Sequence, residues 1–389
     1  MYRIGIPSFG TDHGRSGIGS YLRELLIRFD DPDLANEFYF ELIGPQEDAL
    51  VYLQGLARIG WHAVEGADSS PIHNFFWNQL KLPALCRQQG YDLLFFPAAN
   101  RRLSGRSPCP TVGTVHDMAV LHMPGKYDLI HGIFNRKILP RLITRLDHVL
   151  TVSDFSKNDI VWFAKVPAQK ITVTLLAADT ERFSNPSDRN AVRRGISEKF
   201  AFDAPYILYV SRLEHPGKNH VNLIRAFDQV RSSISDRYLL VLSGPDKERA
   251  QEIHAEAERS MYAKDIRFTG FVDFADIPKL YQGAVLFVLP SRFEGFGLPV
   301  LEAMACGTPI ITSDAASLPE IGGPQTPRFP VDDVGEMAEQ MIRLLTDSSA
   351  SADLATTNSA WVASFSWEKT VGRTLDIFRA VVDKERGGS

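Results

Sequence analysis

The sequence predicts an α/β fold with two doubly wound parallel sheets in tandem. Short apolar runs alternate with longer amphipathic stretches along the chain, which is the pattern of parallel strands joined by crossover helices. The 389 residues are enough for two domains of roughly 100–200 residues each. A polar, turn-rich stretch interrupts the alternation at about 183–205. We therefore expect one sheet before this stretch and one after it.

The first half of the chain contains five apolar runs that predict strands and three stretches that predict helices. The strands are Arg3–Pro7, Phe38–Ile43, Asp92–Phe96, Thr111–Val115 and His148–Val152. The helices are Gly19–Phe29, Asn74–Gln88 and Ser153–Phe163, and Ser153 is a suitable N-cap for the last of them.

The same pattern restarts after the polar stretch, which we interpret as the linker between domains 1–190 and 191–367. The strands predicted in the second half are Tyr206–Val210, Tyr238–Ser243, Ile266–Thr269, Leu286–Leu289 and Pro309–Thr312. The last stretch, Ser366–Val382, predicts an amphipathic helix whose apolar residues recur at helical spacing.

Composition and charge exclude several classes of protein. With 42 basic and 47 acidic residues the net charge is −5, so no global positive field attracts nucleic acid. No apolar run approaches the roughly 18 residues needed to span a bilayer, and the first residues lack a signal-peptide apolar region. We expect a cytoplasmic protein, at most peripheral to the cytoplasmic membrane.

The cysteines give no sign of a disulfide scaffold or of a thiolate zinc site. Cys86, Cys109 and Cys306 are far apart in the sequence, and none belongs to a C-x-x-C pair. A reducing compartment fits this pattern best.

The most informative segment runs from Ser291 to Ala303, where a strand leads through a Gly-rich turn into a helix. Two carboxylates, Glu294 and Glu302, flank the turn. Gly295 and Gly297 let the backbone approach a ligand, and the helix that follows directs its positive end to the same place. The segment predicts an anion site, with the carboxylates available to sugar or ribose hydroxyls. The alternative is an ordinary helix start whose acidic residues complement the helix dipole.

A second segment, Ser211 to His220, follows another strand and contains two cations, Arg212 and Lys218. In open α/β sheets ligands bind at the carboxyl ends of the strands, and a guanidinium beside an ammonium suits a diphosphate. Taken alone, either cation is more typical of a solvated surface charge.

The N-terminal half has two weaker candidates. Gly17 and Gly19 lie in a turn between the first strand and a helix, but Leu22 stands where G-x-G-x-x-G needs its third glycine, so a nicotinamide site is not indicated. The turn is compatible with a phosphate or sugar oxygen, or with no ligand at all. His116 ends a strand, a position more often structural than functional.

Together these residues resemble the retaining GT-B glycosyltransferases of family four. The resemblance is carried by Glu294-Gly-Phe-Gly-Leu-Pro-x-x-Glu302, by the Arg212 and Lys218 pair, by His116-Asp117, by Thr151 to Lys157 and by Ser317 to Gly323. Their order and spacing match the family over nearly the whole chain.

The resemblance implies a GT-B fold, in which two Rossmann-like domains face each other across a cleft that holds a nucleoside diphosphate sugar. It implies that Arg212 and Lys218 bind the diphosphate and that Glu302 binds the ribose. Glu294, with the N–H groups of Gly295, Phe296, Gly297 and Leu298, would bind the sugar and the distal phosphate. Gly17 and Gly19 would approach the diphosphate, and His116 the donor sugar. The helix at about 368–389 would pack back on the first domain.

The implied activity is retaining hexosyl transfer from a donor such as UDP-glucose or GDP-mannose to a saccharide or lipid-linked saccharide in polysaccharide biosynthesis. No cofactor or metal is expected, because the one Asp-x-Asp sequence, Asp31-Pro32-Asp33, reads as a turn. The alternative from another class is a GT-B nucleotide-sugar epimerase, which would need no acceptor.

Two basic segments bear on the acceptor. The stretch from Ile133 to Leu146 carries Arg136, Lys137, Arg141 and Arg145 and predicts either a helix on an anionic membrane surface or a helix that covers the sheet. Arg101, Arg102 and Arg106 form a second basic group, which would recognise an acidic acceptor or would simply be solvated.

Overall fold

The computed structural model describes residues 1–65, 71–105, 107–122 and 134–387. The chain divides into two compact units. The first comprises Met1–Leu176 and Ser366–Ser389, and the second comprises Ala177–Phe365. Each unit contains one parallel β-sheet with helices packed on it, so the described chain has the predicted α/β, doubly wound architecture in both halves.

The sheet of the first unit has seven parallel strands in the order β3-β2-β1-β4-β5-β6-β7. The strands are β1 (Tyr2–Pro7), β2 (Phe38–Gly44), β3 (Gly60–Ala63), β4 (Leu93–Phe96), β5 (Thr111–Val115), β6 (His148–Thr151) and β7 (Ile171–Val173). The five predicted strands are confirmed. The edge strands β3 and β7 were not predicted, because they are short and partly exposed and therefore lack an apolar run.

The helices of the first unit cover both faces of its sheet. They are α1 (Gly17–Phe29), α2 (Gln46–Tyr52), α3 (Pro71–Phe76), α4 (Leu82–Gln89), α5 (Ala119–His122), α6 (Leu139–Ile143) and α7 (Asp154–Asp159), with π-helical segments at Trp77–Lys81, Phe134–Ile138 and Ile160–Ala164. Ser153 caps α7 as predicted, since its Oγ accepts a hydrogen bond from the Ser156 N–H at 3.1 Å.

The sheet of the second unit has six parallel strands in the order β10-β9-β8-β11-β12-β13. The strands are β8 (Tyr206–Val210), β9 (Leu239–Ser243), β10 (Ile266–Gly270), β11 (Leu286–Leu289), β12 (Ile310–Ser313) and β13 (Arg328–Phe329). The helices are α8 (Arg189–Phe200), α9 (His220–Ser233), α10 (Ala250–Arg259), α11 (Ile277–Gly283), α12 (Leu298–Ala305), α13 (Leu318–Ile321), α14 (Val334–Thr346) and α15 (Ser348–Val362). The predicted strands are again confirmed, and the two-residue edge strand β13 was not predicted.

The prediction of a linker over 183–205 is wrong, because most of that stretch is helix α8. Its polar composition reflects a mostly exposed helix that buries Ile196. The Arg189 guanidinium donates to the carbonyl oxygens of Gln282 (2.7 Å), Cys306 (2.7 Å) and Gly307 (3.0 Å). These bonds tie α8 to the second unit, which begins at Ala177 and not at 191 as expected.

Each sheet has one point at which the strand order reverses. In the first unit the chain starts at β1 and extends to β2 and β3, then returns to the other side of β1 with β4. In the second unit the same reversal falls between β8 and β11. The loops after two such neighbouring strands diverge to opposite faces, which leaves a crevice at the carboxyl edge where ligands bind in this class of sheet.

The C-terminal helix, Trp367–Gly387, packs on the first unit. Phe378 is fully buried, and its ring lies 5.1 Å from Phe95 and 6.3 Å from Phe29. On the rim, Arg379 pairs with Glu37 at 2.6 Å. Within the described residues, no helix is long and apolar enough to cross a membrane.

Candidate active site

The centre of the candidate site is an ion pair between Lys218 and Glu294. The Lys218 Nζ lies 2.7 Å from the Glu294 Oε1, and both side chains are mostly buried. Lys218 follows β8 and Glu294 follows β11, so the pair spans the point where the strand order reverses. The structure therefore joins two segments that the sequence analysis treated separately.

Side chains beneath the ion pair hold it in place. The Ser291 Oγ–H donates to the same Glu294 oxygen at 2.6 Å. The buried Tyr209 hydroxyl donates to the Lys218 carbonyl oxygen at 2.9 Å and lies 3.1 Å from the Ser291 Oγ. Burial raises the pKa of Tyr209, so the phenol stays protonated and remains a donor. Glu294 thus keeps a fixed orientation, and among the residues that the structure describes its second oxygen, Oε2, accepts no hydrogen bond.

Arg212 lies on the same loop as Lys218 and is much more exposed. Its side chain is 46% exposed, and its guanidinium contacts the Glu214 Oε2 at 3.4 Å. Glu214 itself is buried. The contact is long for a charge-assisted hydrogen bond, so the guanidinium retains most of its donors for a ligand.

The turn after Glu294 directs the N-terminus of α12 toward the same crevice. Gly297 has a φ of +97°, and a Cβ there would lie 2.7 Å from the Leu318 Cδ2. Only glycine fits this position without strain. The Ser317 Oγ–H contacts the carbonyl oxygens of Glu294 (2.8 Å) and Phe296 (2.9 Å), which fixes the turn from outside. Phe296 is buried and packs edge-on against Phe365, so only its backbone is suited to ligand contact.

The backbone N–H groups in the first turn of α12 are available to a ligand. The helix begins at Leu298, and in the described part of the chain no side chain caps it at Gly297. Uncapped N–H groups at a helix start carry partial positive charge and are suited to an anion. The predicted donors Gly295, Phe296, Gly297 and Leu298 therefore all lie in the turn beside Glu294.

Glu302 lies about one turn into α12 and faces an aromatic partner. The Tyr281 hydroxyl donates to the Glu302 Oε2 at 2.9 Å. Burial raises the pKa of Glu302 to about 7, although the bond from Tyr281 and the charge of Arg182 oppose this rise. Near neutral pH the carboxyl is close to half protonated, and a diol that hydrogen bonds to its charged form would favour ionisation.

In the first unit, Gly17 and Gly19 form the first turn of α1, after the loop that follows β1. The Ser16 Oγ accepts from the Gly19 N–H at 3.3 Å and caps the helix. A Cβ on Gly19 would lie 2.6 Å from the Gly14 Cα, whereas a Cβ on Gly17 would meet open space. Gly19 is therefore required for close packing of the loop, and Gly17 leaves its surroundings accessible.

A buried polar network that the sequence analysis did not find supports this loop. The Asp48 carboxylate accepts from the Ser8 hydroxyl and lies 2.7 Å from the His13 Nδ1. The Tyr52 hydroxyl accepts from the Gly14 N–H at 2.8 Å. Helix α2 thus anchors the glycine loop, and isolated polar residues on a short helix gave no sequence signal for it.

His116 lies at the end of β5, buried beside α1. Its Nε2 is 2.8 Å from the Pro97 carbonyl oxygen, which can only accept, so Nε2 carries the proton. Its ring meets the Tyr21 ring edge-on at 4.8 Å. Burial lowers the pKa of His116 to about 4, so the imidazole is neutral at physiological pH and its Nδ1 is an acceptor.

In the second predicted basic group, Arg101 contacts the loop after β1. Arg101 pairs with Asp12 at 2.5 Å and donates to the Gly10 carbonyl oxygen at 3.0 Å. It therefore braces the loop after β1 and is not simply solvated, while its contact with an acceptor stays a prediction. Arg106 lies outside the described residues.

The Asp31-Pro32-Asp33 sequence is a turn, as predicted. The Asp31 Oδ1 accepts from the Asp33 N–H at 2.9 Å at the start of a 3-10 turn over Pro32–Leu34. In the residues that the structure covers, no group of three or more His, Cys, Asp or Glu side chains is arranged to hold a metal ion.

Two Rossmann-like units with a cationic crevice at the strand-order reversal define the chain as a GT-B glycosyltransferase. Residues 15–182 match the family described as Glycosyltransferase Family 4, and residues 193–361 match Glycosyl transferases group 1. The chain belongs to glycosyltransferase family 4, and it is an enzyme of that class.

Similar proteins agree with this assignment. The chain is 31% identical over 269 residues to the O-antigen chain mannosyltransferase B of Escherichia coli, covering 69% of this chain and 70% of the relative. It is 29% identical over 284 residues to the serotype-specific mannosyltransferase WbdA of Escherichia coli, covering 72% of this chain but only 34% of that longer protein. Among solved structures, Anabaena HepE in complex with UDP and glucose matches 98% of this chain and 100% of its own, with a TM-score of 0.76 and 18% identity.

Because Glu302 is buried, the free energy of unfolding should depend on pH. The variant Glu302→Gln should lack this dependence. The folded state holds the carboxyl proton up to about pH 7, whereas the unfolded chain releases it near 4.5. As the pH rises through this window, the folded state is destabilised relative to the unfolded state. We expect the wild type to lose roughly 2–3 kcal/mol of unfolding free energy between pH 5 and pH 8 relative to the variant.

Urea unfolding at several pH values measures this difference. Glu339→Gln, which alters an exposed carboxylate of the same unit, serves as the control and should run parallel to the wild type. Parallel curves for Glu302→Gln and the wild type would contradict the burial of an ionisable Glu302.

Proposed function

We propose that this enzyme transfers a mannosyl residue from GDP-mannose to a saccharide or lipid-linked saccharide in polysaccharide biosynthesis, with retention of anomeric configuration and without a divalent cation. The observation that carries the proposal is the Lys218 and Glu294 pair at the strand-order reversal of the second unit. It puts a cation for phosphate and a carboxylate for sugar hydroxyls side by side.

The cations are suited to the leaving diphosphate. Arg212 retains donors, Lys218 lies on the same loop and is fixed by its bond to Glu294, and the start of α12 adds backbone N–H groups. When the bond between the anomeric carbon and the diphosphate oxygen breaks, negative charge accumulates on that oxygen. Fixed donors that already point at this position lower the barrier, because they need no reorganisation during the step. Such groups supply the charge stabilisation that a metal ion provides elsewhere.

Glu294 is suited to the sugar and not to the phosphate. One of its oxygens already accepts bonds from Lys218 and Ser291, and a carboxylate repels a phosphate. Its remaining acceptor capacity fits sugar hydroxyl donors. Glu302, with a pKa near 7, fits the ribose diol in the same way. Neutral His116 offers Nδ1 as an acceptor for a donor-sugar hydroxyl, and Gly17 leaves space for an approaching diphosphate.

In this proposal the acceptor hydroxyl attacks the anomeric carbon on the face from which the diphosphate leaves. Its proton passes to the leaving phosphate oxygen, and the new glycosidic bond keeps the donor's anomeric configuration. Lys218 and Arg212 neutralise the diphosphate before and after proton transfer.

The proposal predicts that Lys218→Ala lowers the transfer rate by roughly 10²–10³-fold, because one fixed donor to the leaving group is lost. Product formation from a labelled donor, with and without acceptor and with a chelator present, measures this. Lys264→Ala, an exposed lysine of the same unit, is the matched control and should leave the rate unchanged.

Three outcomes would contradict the proposal. They are an unaltered rate in Lys218→Ala, abolition of wild-type turnover by the chelator, and a rearranged nucleotide sugar formed without acceptor. The last outcome would point to the epimerase that the sequence analysis considered.

The choice of donor is supported by the two relatives, both of which are named mannosyltransferases. Of the two donors expected from the sequence, GDP-mannose is therefore favoured over UDP-glucose. We predict that GDP raises the melting temperature of the protein more than UDP does, and that GDP-mannose gives product at least tenfold faster than UDP-glucose. Equal or greater effects of UDP and UDP-glucose would contradict the donor assignment.

The acceptor proposal includes contact with an anionic membrane surface through one patch of the first unit. Arg136, Lys137 and Arg141 are exposed there, together with Ile138 (40% exposed). The π-helical segment Ile160–Ala164 packs against α6 and carries Trp162, which is 69% exposed. An exposed indole among basic side chains suits the headgroup region of an anionic leaflet. Ile133, the first residue of the predicted segment, lies outside the described residues.

Vesicle sedimentation tests this patch. We predict that the wild type binds vesicles with anionic lipid, and that Trp162→Ala or Arg141→Glu weakens binding several-fold, whereas vesicles of phosphatidylcholine alone do not bind. Met261→Ala, an exposed apolar residue of the second unit, is the control. Equal binding of Trp162→Ala and wild type would argue against the patch.

A further inference from the structure

Two cysteines that are distant in sequence meet in the first unit. Cys86 lies on α4 and Cys109 lies just before β5, and their Sγ atoms are 2.7 Å apart. Both are free thiols. A disulfide bond is about 2.05 Å long, so the two sulfurs need to approach by roughly 0.7 Å to bond. The sequence spacing gave no hint of this contact, because parallel strands and their helices bring together residues that the chain separates.

The two thiols differ in exposure and in acidity. Cys86 is 2% exposed within the apolar core of the unit, whereas Cys109 is only partly buried. The contact with Cys86 lowers the pKa of Cys109, and the contact with Cys109 together with burial raises the pKa of Cys86. Cys109 also contacts the Ser107 Oγ at 3.6 Å. Cys109 is therefore the more reactive and accessible thiol, and Cys86 lies directly behind it.

The backbone on both sides of the pair is already held together. The Gln79 side chain donates to the Leu103 carbonyl oxygen at 2.9 Å and accepts from the Gly105 N–H at 2.7 Å. These bonds join the helical stretch before α4 to the segment that leads to Cys109. A covalent link between the sulfurs adds to a connection that the native structure already makes, so it requires little movement of the backbone.

We propose that Cys86 and Cys109 are a reversible modification site, at which a low-molecular-weight disulfide such as oxidised glutathione converts the two thiols into one intramolecular disulfide. The Cys109 thiolate attacks a sulfur of oxidised glutathione and releases one glutathione thiolate. Cys86, on losing its proton, attacks the Cys109 Sγ and releases the second. Two protein thiols are oxidised by two electrons, one glutathione disulfide is reduced to two thiols, and the two protons go to the released thiolates.

Peptide mapping under non-reducing conditions, after the native protein is incubated with oxidised glutathione, tests the proposal. In the wild type we expect a cross-linked peptide that contains Cys86 and Cys109, loss of two of the three thiols, and recovery of all three with dithiothreitol. Cys86→Ser should stop at a glutathione adduct on Cys109. Cys109→Ser should acquire no adduct, because Cys86 is buried.

Cys306→Ser is the matched control, because Cys306 is fully buried and lies in the second unit. In the Cys306→Ser variant the cross-link between Cys86 and Cys109 should form as in the wild type. A persistent glutathione adduct on wild-type Cys109, a cross-link that includes Cys306, or three unmodified thiols after incubation would each overturn the proposal.

Discussion

The candidate site depends on the ion pair between Lys218 and Glu294. The pair is possible only because β8 and β11 are neighbours in the sheet although β9 and β10 lie between them in the chain. It balances the charge of a lysine and a glutamate that are both largely buried, each of which would be costly to bury alone. Further bonds hold the two residues in place, because the Tyr209 hydroxyl donates to the Lys218 carbonyl oxygen and the Ser291 hydroxyl donates to the Glu294 carboxylate. In the proposed function, this lysine binds the donor diphosphate.

The first unit has the same kind of strand-order reversal, but different residue types lie in the loops beside it. Its strand order reverses between β1 and β4, and the loops after these strands are held by Arg101, which bridges Gly10 and Asp12. His116 lies on the adjacent β5 and bonds to Pro97, which follows β4. The loops in this unit present glycine and a neutral imidazole, whereas the loops of the second unit present cations.

The predictions that held are those that rest on local pattern. Buried central strands are continuous apolar runs, so all of them were found. The missed strands β3, β7 and β13 are short edge strands, one face or end of which is exposed. Helix α8 was mistaken for a linker for a related reason, since a helix that buries little apolar surface has the composition of a loop. At the site, Glu294, Glu302, Arg212 and Lys218 were found because they belong to recognisable segments. Tyr209, Tyr281 and Asp48 were missed because a single polar side chain in a strand or a short helix has no distinguishing spacing.

The sequence by itself determined the α/β class, the two-sheet organisation and the segments that carry the charged groups, because these follow from periodicity and from the residue types at strand ends. Only the tertiary structure decided which groups meet: Lys218 with Glu294, Tyr281 with Glu302, Arg101 with Asp12, and Cys86 with Cys109. Burial, and with it the pKa of Glu302 and of His116, was likewise decided there. The physical reason is that contact and desolvation depend on the packing of elements distant in the chain, which a local pattern does not encode.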